Sequence, residues 1–165
     1  MSLIKSMVSS KSNEWATPQK LFNYLNSMFC FQLDPCSTHE NKKCNKYFTA
    51  EENGLLQEWS LNGTTGRSVF INPPYGGHTA EWIKKAIHES KEHHCICVML
   101  IVSSTDRSYW HEYIDKFADE IWFLRGRIKF NGVKSTAPFA SAVVIFRPNN
   151  SRRKIEFIDI RKEHQ

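Results

Sequence analysis

Apolar residues recur along the chain in two patterns, one typical of helices and one typical of strands. A helical spacing runs from Leu21 to Phe29 and predicts a helix over 18–29. A second stripe of apolar side chains predicts an amphipathic helix over 79–93, and a third helical segment is predicted over 109–117.

Short apolar runs predict the strands. The run 31–33 precedes Asp34 and the run 69–71 precedes Asn72, and a proline follows each of these polar residues. Because proline cannot donate to a sheet ladder, each strand should stop there, with the polar residue at its carboxyl end. Further strands are predicted at 95–102, 120–124 and 140–146.

The alternation of strands with helices indicates an α/β doubly wound fold with a mostly parallel sheet, closed by an antiparallel C-terminal strand pair. Ligands of such sheets bind outside the carboxyl ends of the strands, so Asp34 and Asn72 are expected to share a site. We expect a flexible N-terminal lead-in over 1–12, one domain over 13–147 and a basic C-terminal tail over 148–165.

Charge and composition narrow the classes of partner. The formal net charge is +5 and the pI is about 9.0, which favours an anionic partner such as nucleic acid. Apolar runs stay well short of the roughly 18 residues of a membrane span, and the start of the sequence lacks a signal-peptide pattern, so a cytoplasmic protein is expected. The five cysteines are expected to remain reduced.

The tetrapeptide Asn72-Pro73-Pro74-Tyr75 carries the most specific chemical signal. An amino group conjugated with an aromatic ring is a weak nucleophile, because its lone pair is delocalised. The Asn72 side-chain oxygen and the Pro73 carbonyl could accept its two hydrogens, and the prolines would hold these acceptors rigidly. Tyr75 would then stack on a base flipped out of the helix. The competing interpretation is a structural turn, in which Asn72 caps a backbone group and Tyr75 packs on the core.

This tetrapeptide resembles the catalytic motif of amino-methyltransferases, and other segments resemble one family of them. Over roughly 13–147 the sequence is similar to the phage and prophage DNA N6-adenine methyltransferases, often called phage-type Dam. The segments that carry the resemblance, besides the tetrapeptide, are Glu14-Trp15-Ala16-Thr17-Pro18-Gln19, Leu33-Asp34-Pro35-Cys36, Asn41-Lys42-Lys43-Cys44, Tyr47-Phe48-Thr49, Gly54-Leu55, Gly126-Arg127-Ile128-Lys129-Phe130 and Ala137-Pro138-Phe139.

The resemblance implies a compact, Rossmann-like fold of the S-adenosylmethionine-dependent methyltransferases. It also implies a reaction, the transfer of a methyl group from S-adenosylmethionine to N6 of adenine in DNA. The base would be flipped out and the methyl transferred directly, in line, with S-adenosylhomocysteine as the product. Asn72, Pro73, Pro74 and Tyr75 would be the catalytic residues.

The resemblance further implies cofactor-binding residues. Asp34 takes the acidic position that holds the amino-acid part of S-adenosylmethionine, with Pro35 and Cys36 beside it, and a carboxylate facing an ammonium is a sound pair. The turn after Asp34 lacks the glycines that usually allow close approach of a cofactor. An acidic residue after the second strand commonly holds ribose hydroxyls, and the sequence does not choose between Glu51 and Glu52.

Trp15, Thr17 and Pro18 match the N-terminal motif of the family, which lies beside the same cofactor. The Thr17 hydroxyl would be available to the methionine carboxylate. The competing interpretation is helix capping, with Thr17 as the N-cap and Pro18 as the first helical residue.

Four basic residues are candidates for DNA contact. Arg125, Arg127 and Lys129 alternate with other residues along an extended segment, which places them on one face that could meet phosphates. Arg107 follows the strand predicted at 95–102 and belongs to the same end of the sheet. No metal is expected, because the cysteines and histidines lack the paired spacing of a zinc site.

Other functions are compatible with parts of this pattern. Cytosine N4 and a protein glutamine N5 are also planar nitrogens that the tetrapeptide would suit, and a DNA-binding module without catalysis would suit the basic charge. DNA is the expected partner, while a membrane and an obligatory protein partner are not expected. The sequence does not indicate a recognition sequence or an oligomeric state.

Overall fold

The described residues form a mixed sheet of seven strands at the centre of the fold. The computed structural model describes residues 15–132, 134–149 and 152–161, and the lead-in predicted over 1–12 lies outside these ranges. The strands are β1 (Leu33–Asp34), β2 (Lys46–Tyr47), β3 (Ser68–Ile71), β4 (Ile96–Val102), β5 (Glu120–Arg125), β6 (Ser141–Phe146) and β7 (Lys154–Asp159).

The order across the sheet is β2-β1-β3-β4-β6-β5-β7. Among these described strands only β6 is reversed, and it pairs antiparallel with β4 on one side and β5 on the other. The predicted α/β fold, with a mostly parallel sheet and an antiparallel C-terminal pair, is confirmed. One consequence matters for the site: the carboxyl ends of β1, β3, β4 and β5 all lie at the same edge.

In the described ranges, three α-helices and one π-helix accompany the sheet. They are α1 (Gln19–Phe29), α2 (Thr79–His93), the π-helix Trp110–Ile114 and α3 (Asp115–Phe117), which follows it directly. The bounds predicted for α2 are confirmed, whereas the third predicted helix is mostly π-helical. Within the described ranges no helix combines the length and the apolar character needed to cross a bilayer.

The N-cap predicted for α1 is wrong. Pro18 precedes the first helical residue, Gln19, and none of the side chains that the structure describes caps the first turn. The Thr17 hydroxyl instead accepts a hydrogen bond from the Asn72 side chain, a residue distant in the sequence. A tertiary contact has therefore replaced the local one that the sequence pattern favours.

Helices and loops bury both faces of the sheet. Along β4, Cys97 and Met99 lie in the core on the α2 side, and Val98 and Leu100 lie in the core on the α1 side. This explains why the strand reads as an uninterrupted apolar run. It also positions the site, since a strand held on both faces presents its carboxyl end at a fixed place.

The segment predicted as a basic tail contributes a strand. β7 pairs in parallel with β5 over its whole length, and Ile160, which follows it, is buried in the core on the α1 side. The strand escaped prediction because it lies at the sheet edge and exposes apolar residues such as Ile155 and Phe157, so its pattern lacks a clear inward face.

Two isoleucine truncations test whether this segment belongs to the fold. Ile160 is 6% exposed and Ile155 is 56% exposed, so the same chemical change should have different consequences. Ile160→Ala should lower the free energy of unfolding by about 2–5 kcal/mol through lost burial and a cavity, and Ile155→Ala by no more than about 0.5 kcal/mol. Urea denaturation measures both, and equal, small effects would show that the segment is dispensable for stability.

Candidate active site

Two prolines end neighbouring strands beside one cavity. β1 and β3 are parallel neighbours, with Leu33 opposite Val69, so Asp34 and Asn72 emerge at the same sheet edge. The backbone turns away after each of them, at Pro35 and Pro73. The cavity outside this edge has a volume of about 660 Å³, which lies within the range of small-molecule sites.

Most of the residues predicted for the site line this cavity. They are Trp15, Thr17, Asp34, Pro35, Cys36, Glu51, Glu52, Asn72, Pro73, Pro74 and Tyr75. The predicted residues that do not line it are Pro18, Arg107, Arg125, Arg127 and Lys129. The structure therefore brings together side chains from four separate stretches of sequence, and leaves the four basic residues predicted for DNA contact outside the cavity.

The Asn72 side chain is fixed by the segment at 15–17. Its Nδ2 donates to the backbone oxygen of Trp15 at 2.9 Å and to Thr17 Oγ1 at 3.0 Å. A backbone oxygen can only accept, so the amino group of the carboxamide must be the part that faces it. Asn72 Oδ1 is consequently turned elsewhere, and it is buried without a hydrogen-bond partner in the described part of the chain.

The same segment is itself anchored. The Asn131 backbone N–H donates to the oxygen of Ala16 at 2.9 Å, and the Asn131 side chain donates to the oxygen of Thr17 at 3.4 Å. The Trp15 ring packs edge-on against Phe130, with 5.3 Å between the ring centroids. Backbone and aromatic contacts thus hold the acceptors that orient Asn72.

Tyr75 joins an aromatic cluster at the cavity wall. Its ring packs edge-on against Phe139 at 5.3 Å and Phe130 at 6.1 Å, and it lies tilted against Trp15 at 6.2 Å. The hydroxyl is buried and has no partner among the described residues, and burial raises the pKa of Tyr75 above its usual range. Tyr75 lines the cavity, and it also packs against the core as the competing interpretation expects.

Asp34 is a buried carboxylate with few compensating contacts. It is 3% exposed, and its Oδ2 accepts from the backbone N–H of Lys43 at 2.9 Å. Burial raises the pKa of this carboxyl group to about 6, although backbone N–H groups and the Lys43 charge act in the opposite direction. The charged form is therefore costly in the protein alone, and a cation bound in the cavity would stabilise it.

Cys36 lies beside Asp34 in the cavity wall. Burial, with a smaller contribution from the Asp34 charge, raises the pKa of this thiol well above its usual range. The thiol therefore stays protonated near neutral pH. A protonated thiol is a poor nucleophile, so the arrangement is unsuited to covalent catalysis by Cys36.

The structure separates the two candidate glutamates. Glu52 Oε2 accepts from the Thr49 backbone N–H at 2.8 Å and lies 3.3 Å from the Thr49 hydroxyl, so it closes the turn after β2. Glu51 also lines the cavity, is exposed, and makes no hydrogen bond or ion pair within the described ranges. Glu51 is thus the carboxylate that remains available to a ligand.

Several cavity residues were not singled out from the sequence as ligand-binding candidates. They include Asn41, Lys43, Leu55, Leu56, His78 and Trp82. Leu56 is 80% exposed and lines the cavity, so it presents apolar surface to the cavity. The glycine at position 54 is the sequence feature that could have indicated this wall of the cavity. A Cβ there would meet the Pro35 oxygen at 1.9 Å, so only glycine permits this loop to approach β1.

Comparison with known proteins identifies the family. The family model described as DNA N-6-adenine-methyltransferase (Dam) matches residues 5–164, nearly the whole chain. The chain belongs to this family. Two relatives described as DNA N-6-adenine-methyltransferase are each 32% identical: one from Escherichia phage T1 over 109 residues, and one from Haemophilus phage HP1 over 124 residues.

These alignments cover the proteins unequally. The T1 match includes 66% of this chain and 43% of the phage protein, and the HP1 match includes 73% and 68%. The chain of this Dam-family protein thus spans less than half of the T1 relative. A modification subunit assigned to a type I restriction enzyme from Vibrio vulnificus YJ016 shares the fold, with a TM-score of 0.54 at 12% identity, covering 93% of this chain and 48% of that one.

The basic residues of the Dam-family chain lie around the same sheet edge. Arg125 ends β5, and Arg127 and Lys129 are exposed while the residues between and after them, Ile128 and Phe130, are buried. The predicted alternation is confirmed. Arg107 is exposed in the loop after β4.

The buried Asp34 carboxyl group should make the free energy of unfolding depend on pH. Because the pKa of Asp34 rises from 3.8 to about 6, the folded protein binds more protons than the unfolded chain between these values, and stability falls as pH rises through that window. Asn has no charge to bury, so Asp34→Asn should be more stable than the parent near pH 8, by up to about 3 kcal/mol, and equally stable near pH 3.

Urea denaturation without ligand at several pH values measures this difference. Glu92→Gln changes an exposed carboxylate and is the matched control, expected to follow the parent throughout. A destabilised Asp34→Asn variant near pH 8 would show that the carboxylate is already well compensated in the protein alone.

Proposed function

We propose that this chain transfers the methyl group of S-adenosylmethionine to N6 of adenine in DNA. One observation carries the proposal: a carboxamide at the cavity wall has both N–H groups engaged by its own protein, while its oxygen is buried with no donor among the described residues. An unsatisfied buried acceptor costs about 1–3 kcal/mol. Such an atom is suited to accept a hydrogen from a ligand amine, and family membership agrees with this reading.

The cavity residues fit the cofactor. The buried Asp34 carboxylate would hold the ammonium of its amino-acid part, the available Glu51 carboxylate would accept from ribose hydroxyls, and the apolar Leu55 and Leu56 would cover the adenine ring. Pro35 and Cys36 follow Asp34 in the cavity wall, and Trp15 lines the same cavity beside Tyr75. When bound, S-adenosylmethionine supplies an electrophilic methyl group on a positively charged sulfur.

Asn72 would make the ring amine receptive. Accepting one N6 hydrogen on Oδ1 draws the amine towards a pyramidal geometry, in which its lone pair is localised and can attack. Pro73, whose backbone oxygen follows directly, would accept the second hydrogen. Because Trp15 and Thr17 fix the carboxamide before the base arrives, little reorganisation is needed during the reaction.

Access to Asn72 Oδ1 requires a small movement. Both Oδ1 and the Tyr75 hydroxyl are shielded from water, so a base reaches Oδ1 only when a side chain of the wall moves aside. Tyr75 belongs to the same tetrapeptide and lies on the cavity wall. Its ring would then stack on the flipped base, a contact that contributes roughly 1–3 kcal/mol in single-strand binding proteins.

The exposed cations at the same sheet edge would hold the DNA backbone. Arg107 follows β4, Arg125 ends β5, and Arg127 and Lys129 come shortly after it; all four are exposed and none lines the cavity, which suits phosphates rather than the base. They would contribute affinity that declines with salt.

The experiment that tests the activity is direct. Purified protein is incubated with S-adenosylmethionine and DNA, the DNA is digested to nucleosides, and the modified nucleoside is identified by mass spectrometry. N6-methyladenine supports the proposal. N4-methylcytosine would show that cytosine is the methyl acceptor, and labelling of added protein instead of DNA would show that the acceptor is a protein. If no methyl group is transferred at all, the proposed activity is wrong and only DNA binding would be left.

Removing the Asn72 side chain should separate chemistry from binding. Asn72→Ala should lower the rate of methyl transfer by at least about 100-fold, the effect of deleting one preorganised polar group in other active sites. The affinity for S-adenosylhomocysteine, measured by calorimetry, should change by less than about threefold. Asn23→Ala makes the same change on the exposed side of α1 and should leave both quantities unaltered. Turnover at the parental rate would contradict the role of Asn72.

The two neighbouring glutamates should give opposite results. Glu51→Ala should weaken binding of S-adenosylhomocysteine about tenfold, as expected for loss of one charged hydrogen bond, with little change in melting temperature. Glu52→Ala should leave binding nearly unchanged but lower the melting temperature by about 2–4 °C, because the Thr49 N–H loses its acceptor. The reverse pattern would assign the ribose contact to Glu52.

A further inference from the structure

The contact between Thr17 and Asn72 joins two parts of the chain that are 55 residues apart. Thr17 is 2% exposed, so its hydroxyl is not solvated in place of that contact. Of the two acceptors that face Asn72 Nδ2, the oxygen of Trp15 belongs to the backbone and Thr17 Oγ1 belongs to a side chain. Only the second can be removed by substitution.

A carboxamide has two orientations that differ by exchange of its oxygen and its amino group. With one acceptor beside Nδ2, a modest rotation about the last side-chain bond loses a single hydrogen bond. With two acceptors, both N–H groups are engaged and rotation loses both bonds inside a buried environment, where each is costly to leave unmade. The number of acceptors therefore determines how strongly the carboxamide resists rotation, and so how well the position of Oδ1 is fixed.

From this geometry we infer that Thr17 is a positioning residue for methyl transfer, which acts by holding the Asn72 carboxamide in its productive orientation. The inference rests on the proposed function, in which Oδ1 accepts a hydrogen of the target amine. Thr17 needs no contact with the substrate in this role. Asn131 holds its backbone, and Phe130 packs against Trp15 in the same segment, so the hydroxyl is presented from a fixed position.

The role differs from the one that family resemblance implies, in which the Thr17 hydroxyl serves the methionine carboxylate. Loss of a cofactor contact would weaken binding of the cofactor and its product. Loss of a positioning contact would instead lower the rate at saturating cofactor and leave the affinity unchanged. The two roles are therefore separated by comparing affinity with maximal rate.

The decisive variant is Thr17→Val, which keeps the branched shape and removes the acceptor. We expect the maximal rate of methyl transfer to fall about 10- to 100-fold, with the Kd for S-adenosylhomocysteine within about twofold of the parent. Thr17→Ser, which keeps the hydroxyl, should recover most of the rate. Thr64→Val makes the same change on an exposed turn and is the matched control. A Kd raised tenfold, or a rate equal to the parent, would overturn the inference.

A second measurement needs neither cofactor nor activity. In the protein alone, the side-chain N–H resonances of Asn72, assigned by their loss in Asn72→Ala, should exchange slowly with solvent in the parent and Thr17→Ser, and clearly faster in Thr17→Val. The melting temperatures of Thr17→Val, Asn72→Ala and the double variant complete the test. The double variant should lose less than the sum of the single losses, because both remove the same bond.

These results distinguish the two proposals. If the parent protein methylates no adenine, the proposed function fails, while exchange rates and melting temperatures still decide whether Thr17 orients Asn72. Unchanged exchange in Thr17→Val together with additive melting losses would refute the inference even in an active methyltransferase.

Discussion

The site depends on a constraint imposed by proline at the ends of two parallel strands. Pro35 and Pro73 cannot continue the ladders of β1 and β3, so the chain must turn away immediately after Asp34 and Asn72. Burial of β1 and β3 in the sheet then fixes where these turns occur. An acidic side chain and a carboxamide consequently meet at one edge, although 37 other residues separate them along the chain.

Three polar groups at this edge of the sheet are buried with little compensation from the described residues. Asp34 is buried with its pKa raised to about 6, and Asn72 Oδ1 and the Tyr75 hydroxyl are buried without partners in the described part of the protein. By contrast, the buried Glu89 on α2 pairs with Lys85 and His93. The large apolar cores on both faces of the sheet stabilise the fold enough to offset the cost of these buried polar groups. Such a cost is common at functional sites.

Features encoded locally were predictable from the sequence, and features that depend on distant contacts were not. The amphipathic stripe of α2 and the apolar run before Asn72 each lie within about 15 residues, so periodicity and proline sufficed to locate them. The Thr17 hydroxyl could not be assigned in this way. A Thr-Pro pair before a helix is a strong local capping signal, and only the folded chain brings Asn72 to that hydroxyl. Likewise, identical adjacent residues such as Glu51 and Glu52 are distinguished only by the turn that engages one of them.

The absence of a glycine-rich turn after Asp34 illustrates how a compact fold solves the same steric problem differently. In larger dinucleotide-type sheets, glycines in the first turn let the backbone approach its ligand closely. In this protein the close approach is between two segments of the chain, because the backbone of Gly54 lies so near the Pro35 oxygen that no side chain fits at position 54. The Trp59 indole N–H donates to the Gly54 oxygen at 2.8 Å and secures that loop against the buried core. The loop carrying Glu51 is thereby held beside Asp34 by packing, so one wall of the cavity is built from sequence that lies well beyond the turn where a glycine motif would be sought.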